Sequence, residues 1–175
     1  MQIWIPWHQE GEISKAMTEN SAGMRIKRKR ILAVSSGGGH WVELIRVAPA
    51  FAGHDVAYAT VNEKYRSGAG SARFYTFRDV TRWDKLLWVQ TIMKLVWILL
   101  LEQPDVVIST GALPGFFSLR LGKLFGARTI WLDSIANVEE LSLSGQKIAK
   151  HADMWLTQWP NLSKPNGPMY RGTVL

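Results

Sequence analysis

The 175 residues are 47% hydrophobic, enough to bury the core of one domain and too few for two of ordinary size. Lys and Arg total 21 against 14 Asp and Glu, and the resulting +7 suits an anionic partner (phosphate ligand, lipid surface or nucleic acid) without choosing among them. The absence of cysteine excludes disulfides, zinc-thiolate sites and thiol nucleophiles, while nine tryptophans leave rings for core, interface and headgroup-level roles.

Residues 1–23 contain no continuous apolar run, being broken by Pro6, His8, Gln9, Glu10 and Glu12, so they read as a tail or misjudged start and the domain is expected over 24–175. The basic run Arg25, Lys27, Arg28, Lys29 and Arg30 is either a solvated lead-in or a point of attraction to anionic lipid. Ile31-Leu-Ala-Val34 is unbrokenly apolar, as a strand buried on both faces should be, and runs into Gly37-Gly38-Gly39. From His40 to Phe51 apolar residues recur at helical spacing and stop near Pro49 and Gly53. Strands are predicted over 55–60 and 73–80, with a polar loop over 62–71 between them.

A long helix follows, from Trp83 to Leu101. Its apolar stretch is shorter than the roughly 20 residues that span a bilayer and contains Lys94, which leaves core packing or partial membrane contact. Trp83, Trp88 and Trp97 with Lys94 supply the aromatic and basic mix of an interfacial helix. Beyond it the spacing predicts strand 105–110, turn 111–115, helix 116–125, strand 128–133, helix 138–151 and strand 153–158. Such alternation predicts an α/β fold, a Rossmann-like, doubly wound parallel sheet with ligands outside the carboxyl ends of its strands.

The candidate site residues stand at those ends. A glycine cluster between a strand and a helix turns sharply and offers backbone N–H groups to a phosphate beside the helix dipole, although a tight turn without ligand has the same composition. A nicotinamide cofactor is disfavoured, because Val42 stands where the dinucleotide fingerprint needs a glycine, and a Walker loop is missing because Leu124 follows Gly122-Lys123. His40, in the first helical turn, either faces the same ligand or packs at the helix start. Gly111 to Gly115 forms a second glycine-edged turn. Asp133 and Ser134, with Asn137 beyond, bind hydroxyls, act as base or cap a helix. No carboxylate or histidine cluster has metal-ligand spacing, no cofactor is expected, and nucleic-acid binding lacks a recognition element.

The series Ser35-Ser-Gly-Gly-Gly-His40, Ser109-Thr-Gly-Ala-Leu-Pro-Gly115, Asp133-Ser134, Leu141-Ser-Leu-Ser-Gly145, Ala152-Asp153 and Gln158-Trp-Pro160 occurs in order. In this the chain resembles the membrane-recruiting subunit of the split UDP-N-acetylglucosamine transferase of dolichol-oligosaccharide synthesis and its bacterial relatives in exopolysaccharide synthesis. More distantly, the first glycine loop is similar to the acceptor-domain loop of the peptidoglycan N-acetylglucosamine transferase. The resemblance implies the single acceptor-side, N-terminal-type domain of a GT-B glycosyltransferase. It further implies a separate catalytic UDP-sugar-binding subunit as partner, a polyprenyl-diphosphate-linked sugar acceptor, and a peripheral place on the cytoplasmic face of a membrane. By the same resemblance Ser36, Gly37, Gly38, Gly39, Gly111 and Ser134 would contact acceptor or phosphate, and His40 and Asp133 would be catalytic. Asp133 stands where eukaryotic members usually carry Glu, and residues 1–23 do not supply the spanning helix those members carry. The alternative is a non-catalytic scaffold that anchors a partner through a phosphate-binding module.

Overall fold

The computed structural model describes residues 27–79 and 85–174; the expected tail at 1–23 and Trp83 lie outside them. The described residues build one parallel sheet from β1 (Arg30–Val34), β2 (Asp55–Thr60), β3 (Arg73–Thr76), β4 (Val106–Ser109), β5 (Arg128–Leu132), β6 (Met154–Thr157) and β7 (Met169–Tyr170). The strand order is β3-β2-β1-β4-β5-β6-β7. The helices are α1 (Gly39–Val47), α2 (Lys85–Glu102), α3 (Ala112–Leu124) and α4 (Leu143–Ile148).

The apolar run of β1 divides by alternation between two cores. Ile31 and Ala33 face Trp41 and Leu44 of α1, while Leu32 and Val34 face Leu95, Ile98 and Leu99 of α2 and Leu119 of α3. Burial on both faces explains why the sequence reads as continuous hydrophobicity rather than as polar and apolar residues in turn. At the edge, β3 is tied to the end of α2 through Glu102, 7% exposed, which accepts from Arg73 Nε at 2.9 Å and from the Tyr75 hydroxyl.

Several boundaries differ from the sequence expectation. The polar segment after β2 contains a 3₁₀ helix (Glu63–Ala69), started by Asn62 accepting from Lys64 N at 3.0 Å. Strand 73–80 ends at Thr76. Helix 116–125 begins four residues early, at Ala112, because Gly111 adopts φ 140° and Pro114 lies within the first turn, where its missing N–H costs nothing. Helix 138–151 shrinks to Leu143–Ile148, because Ser142 caps it by accepting from Gly145 N at 2.8 Å and the chain before it is drawn onto Asp133. The short β7 had no sequence signal.

Candidate functional site

The chain runs outward from β1 to β2 and β3, then returns to pair β4 on the other side of β1. The loops leaving β1 and β4 therefore diverge at their carboxyl ends and open a crevice, the place where doubly wound sheets bind ligands. The first loop holds Gly37–Gly39, the second Gly111.

Gly38, at φ 65°, precedes α1, whose start has no side-chain cap. Gly38 N donates to Tyr65 Oη at 2.9 Å, and Tyr65 stacks on Trp41 with centroids 5.4 Å apart. The loop is thus braced from the α1 side while Gly38 and Gly39 remain exposed. Ser36 is half-buried and its carbonyl accepts from Thr60 Oγ1 at 3.2 Å.

His40 joins the two loops. Its Nδ1 lies 3.0 Å from Thr110 O, and Thr110 Oγ1 donates to His40 O at 2.7 Å. Gly111 lies against the ring so closely that a Cβ there would sit 2.5 Å from Cε1. One turn further along α1, Glu43 is buried, accepting from Ser134 Oγ at 2.9 Å and Ile135 N at 2.8 Å. These contacts draw the loop after β5 onto α1 and close a cleft of about 450 Å³ lined by His40, Ser134, Asn137, Glu140, Ser142 and Ser144.

Asp133 occupies a different position from the one a free base needs. It is 1% exposed. Its Oδ1 accepts from Trp131 Nε1 at 3.2 Å and Ser142 Oγ at 2.6 Å, and its Oδ2 from Ser142 N at 2.9 Å and Asn137 Nδ2 at 3.4 Å. A carboxylate with every lone pair engaged holds the loop over 133–145 in place. Gln158, fully buried, donates to Asp133 O at 3.1 Å and accepts from Val174 N at 3.0 Å, so the Gln158-Trp159-Pro160 motif braces the same loop. Trp159 adds a bond from Nε1 to Ile135 O at 2.7 Å.

The structure thus gathers Gly37, Gly38, Gly39, His40, Gly111 and Ser134 around one crevice and sets Asp133 behind it. Glu43 and Tyr65 were missed by the sequence reading. The signal for Glu43 was an acid three residues after the histidine on an otherwise apolar helix face. Among the described residues no three His, Asp or Glu side chains converge as a metal site.

Away from the crevice, α2 has two apolar faces. Leu95, Ile98 and Leu99 are buried, whereas Val89, Met93, Trp97, Leu100 and Leu101 are exposed. Lys94 Nζ lies 4.2 Å over the Trp97 ring, and Trp88 packs edge-on against Phe117 of α3 at 5.8 Å. No helix among the described residues is long and apolar enough to cross a membrane.

The sequence matches the family described as "Oligosaccharide biosynthesis protein Alg14 like" over residues 85–174, more than half of the chain. A Schizosaccharomyces pombe (strain 972 / ATCC 24843) protein named UDP-N-acetylglucosamine transferase subunit alg14 is 27% identical over 168 residues, covering 78% of each chain. A Cryptococcus neoformans var. neoformans subunit of the same description is 37% identical over 57 residues, 33% of this chain and 25% of that one. Among solved structures, Acinetobacter baumannii MurG superposes with a TM-score of 0.63 at 11% identity, over 83% of this chain and 44% of its own. The UDP-GlcNAc 2-epimerase of Methanocaldococcus jannaschii gives 0.56 at 10% identity, over 73% and 38%. The chain spans less than half of either structure, and the likeness is one of fold, a Rossmann-like α/β domain of the GT-B kind. On the extent of the family match, the protein belongs to the Alg14-like family of oligosaccharide biosynthesis proteins.

Proposed function

We propose that the chain is the acceptor-side subunit of a UDP-sugar-dependent glycosyltransferase, active in polysaccharide biosynthesis with a separate donor-binding partner. The observation that carries this reading is the crevice itself: an open glycine loop at an uncapped helix start, with His40 held beside it and facing the Gly111 turn. The relatives named as transferase subunits support it, as does the chain's match to less than half of MurG.

In this reading the glycine loop Gly37–Gly39, with the amides of Gly37 and Gly39 and the dipole of α1, holds the diphosphate of a polyprenyl-linked sugar acceptor. Tyr65 fixes the Gly38 amide, and Ser36, Gly111 and Ser134 stand around the sugar. His40 Nε2 takes the proton of the attacking hydroxyl, and Asp133 serves by holding the cleft loop in place. The partner closes over the carboxyl edge of the sheet and brings the UDP-sugar. Positioning by two facing domains then supplies much of the rate.

The exposed face of α2 with Trp97 and Lys94 rests on the cytoplasmic face of the membrane as a peripheral contact, with Trp88 of the same helix backed by Phe117 of α3. Aromatic and aliphatic side chains enter the headgroup boundary while Lys94 meets anionic lipid.

The test is sugar transfer from radiolabelled UDP-sugars to a membrane lipid extract, by the chain alone and with the small protein that co-purifies with it. Transfer only with the partner, reduced at least about 100-fold by His40→Ala with the pair still assembled, is the expected result. Undiminished transfer by the His40→Ala pair points instead to a scaffold.

A further inference from the structure

Glu43 is 4% exposed, and only half of its carboxylate is engaged. Oε1 accepts from Ser134 Oγ and Ile135 N, while Oε2 is buried with no hydrogen-bond partner. Folded proteins leave few buried polar atoms without a partner, and those few call for a physical reason. The orphan oxygen lies 3.7 Å from His40 Nδ1, too long for a hydrogen bond, and the same Nδ1 lies 3.0 Å from Thr110 O. Two acceptors thus face one ring nitrogen. A lone pair on Nδ1 would be opposed by both oxygens, and a proton there suits both.

We infer that Glu43 is a positioning residue that, with Thr110 O, holds His40 as the Nδ1–H tautomer, leaves the Nε2 lone pair for the substrate, and offsets the charge of the imidazolium formed on proton uptake. The inference rests on the glycosyltransferase reading for its catalytic half. In that step the acceptor hydroxyl oxygen bonds to the anomeric carbon of the donor sugar. The bond from that carbon to the diphosphate breaks with its electron pair leaving on UDP, and the hydroxyl proton moves to His40 Nε2.

The surroundings make a counter-charge necessary. His40 sits in the first turn of α1, where the helix dipole opposes an imidazolium. The turn after β4 brings Thr110, Gly111 and Ala112, none of them ionisable. From the loop after β5, Glu140 lines the cleft beside His40, and the oxygens of Asp133 are taken by four donors. Glu43 is therefore the carboxylate set within 4 Å of the ring. Its placement follows the logic by which a third residue orients a histidine base and stabilises its protonated form.

Long-range ¹H–¹⁵N spectra of the full chain, labelled at histidine and assigned with His40→Ala, report the tautomer of neutral His40. Steady-state kinetics of the assembled pair report turnover. Wild-type His40 is expected as the Nδ1–H form. Glu43→Gln keeps an acceptor oxygen for Ser134 and Ile135 but turns an amide N–H towards Nδ1, so it should mix in the Nε2–H form. It should also lower kcat about 100-fold while KM for donor and acceptor changes less than about threefold. A wild-type protein with His40 as Nε2–H overturns the inference even if the variant does not fold. A folded Glu43→Gln protein with either the tautomer or kcat unchanged overturns it as well. Absence of transfer by the wild-type pair, with the tautomer responding to Glu43→Gln, removes the glycosyltransferase reading and leaves control of the tautomer by Glu43 standing.

Discussion

His40 was legible from its neighbours in the chain, since a histidine directly after a glycine cluster at a strand end has few places to point other than the crevice. Glu43 was not, because an acid in the middle of a short helix reads as a solvated residue. Its burial is decided by Ser134, 91 positions away. Gly111 shows how closely the histidine is held. Its φ of 140° and the 2.5 Å that would separate a Cβ from His40 Cε1 forbid any side chain there without moving the ring. Gly111→Ala is expected to cost about 1–3 kcal/mol in denaturant unfolding through overpacking and strain. Displacement of the ring should also lower kcat/KM of the assembled pair about 100-fold. A variant with wild-type stability and turnover would show that the two loops are free to separate.

At the level of elements, the largest misreading was the helix expected over 138–151. Its periodicity is real, but Asp133 and Ser142 offer the chain before Leu143 better hydrogen bonds than a helix would. Asp133→Ala should leave Trp131 Nε1 and Ser142 N without their acceptor and cost on the order of 3 kcal/mol, measured as a lowered urea midpoint with unchanged slope. A loss below about 0.5 kcal/mol would mean that water replaces the carboxylate. Helix α2 was read as core or membrane surface, and its structure has a face fit for each. Met93→Glu with Trp97→Glu, both at exposed positions, should leave thermal stability nearly unchanged and markedly weaken sedimentation with anionic liposomes. Equal sedimentation of the folded double variant would assign that face to a protein neighbour.

For the whole molecule, stability should form a plateau bounded by ionisations at both ends of the pH range. The backbone N–H of Arg30 holds the Asp105 carboxyl below its ordinary value of 3.8, and the Lys123 side chain, helped by Thr129, does the same for Asp153. Both groups are depressed in the folded chain, so their contribution is present above that value and is lost as pH falls through the folded one. At the other end, burial and the bond to Glu102 push Tyr75 from 10.0 up to about 12, and burial raises Tyr58. A raised phenol keeps its contribution below pH 10.0 and loses it as pH climbs towards 12. Melting temperatures should therefore hold level between about pH 5 and 9 and fall on either side, and a midpoint unaltered from about pH 5 to 3 would contradict the roles given to Asp105 and Asp153. By itself the sequence determined the α/β alternation, the parallel sheet and the glycine-edged turns, because buried strands, helical spacing and glycine all act over a few neighbouring residues. Only the tertiary structure decided which side chains close the crevice, that Asp133 is sealed behind it and that Glu43 faces His40, because each depends on hydrogen bonds between segments that meet only when the sheet is assembled.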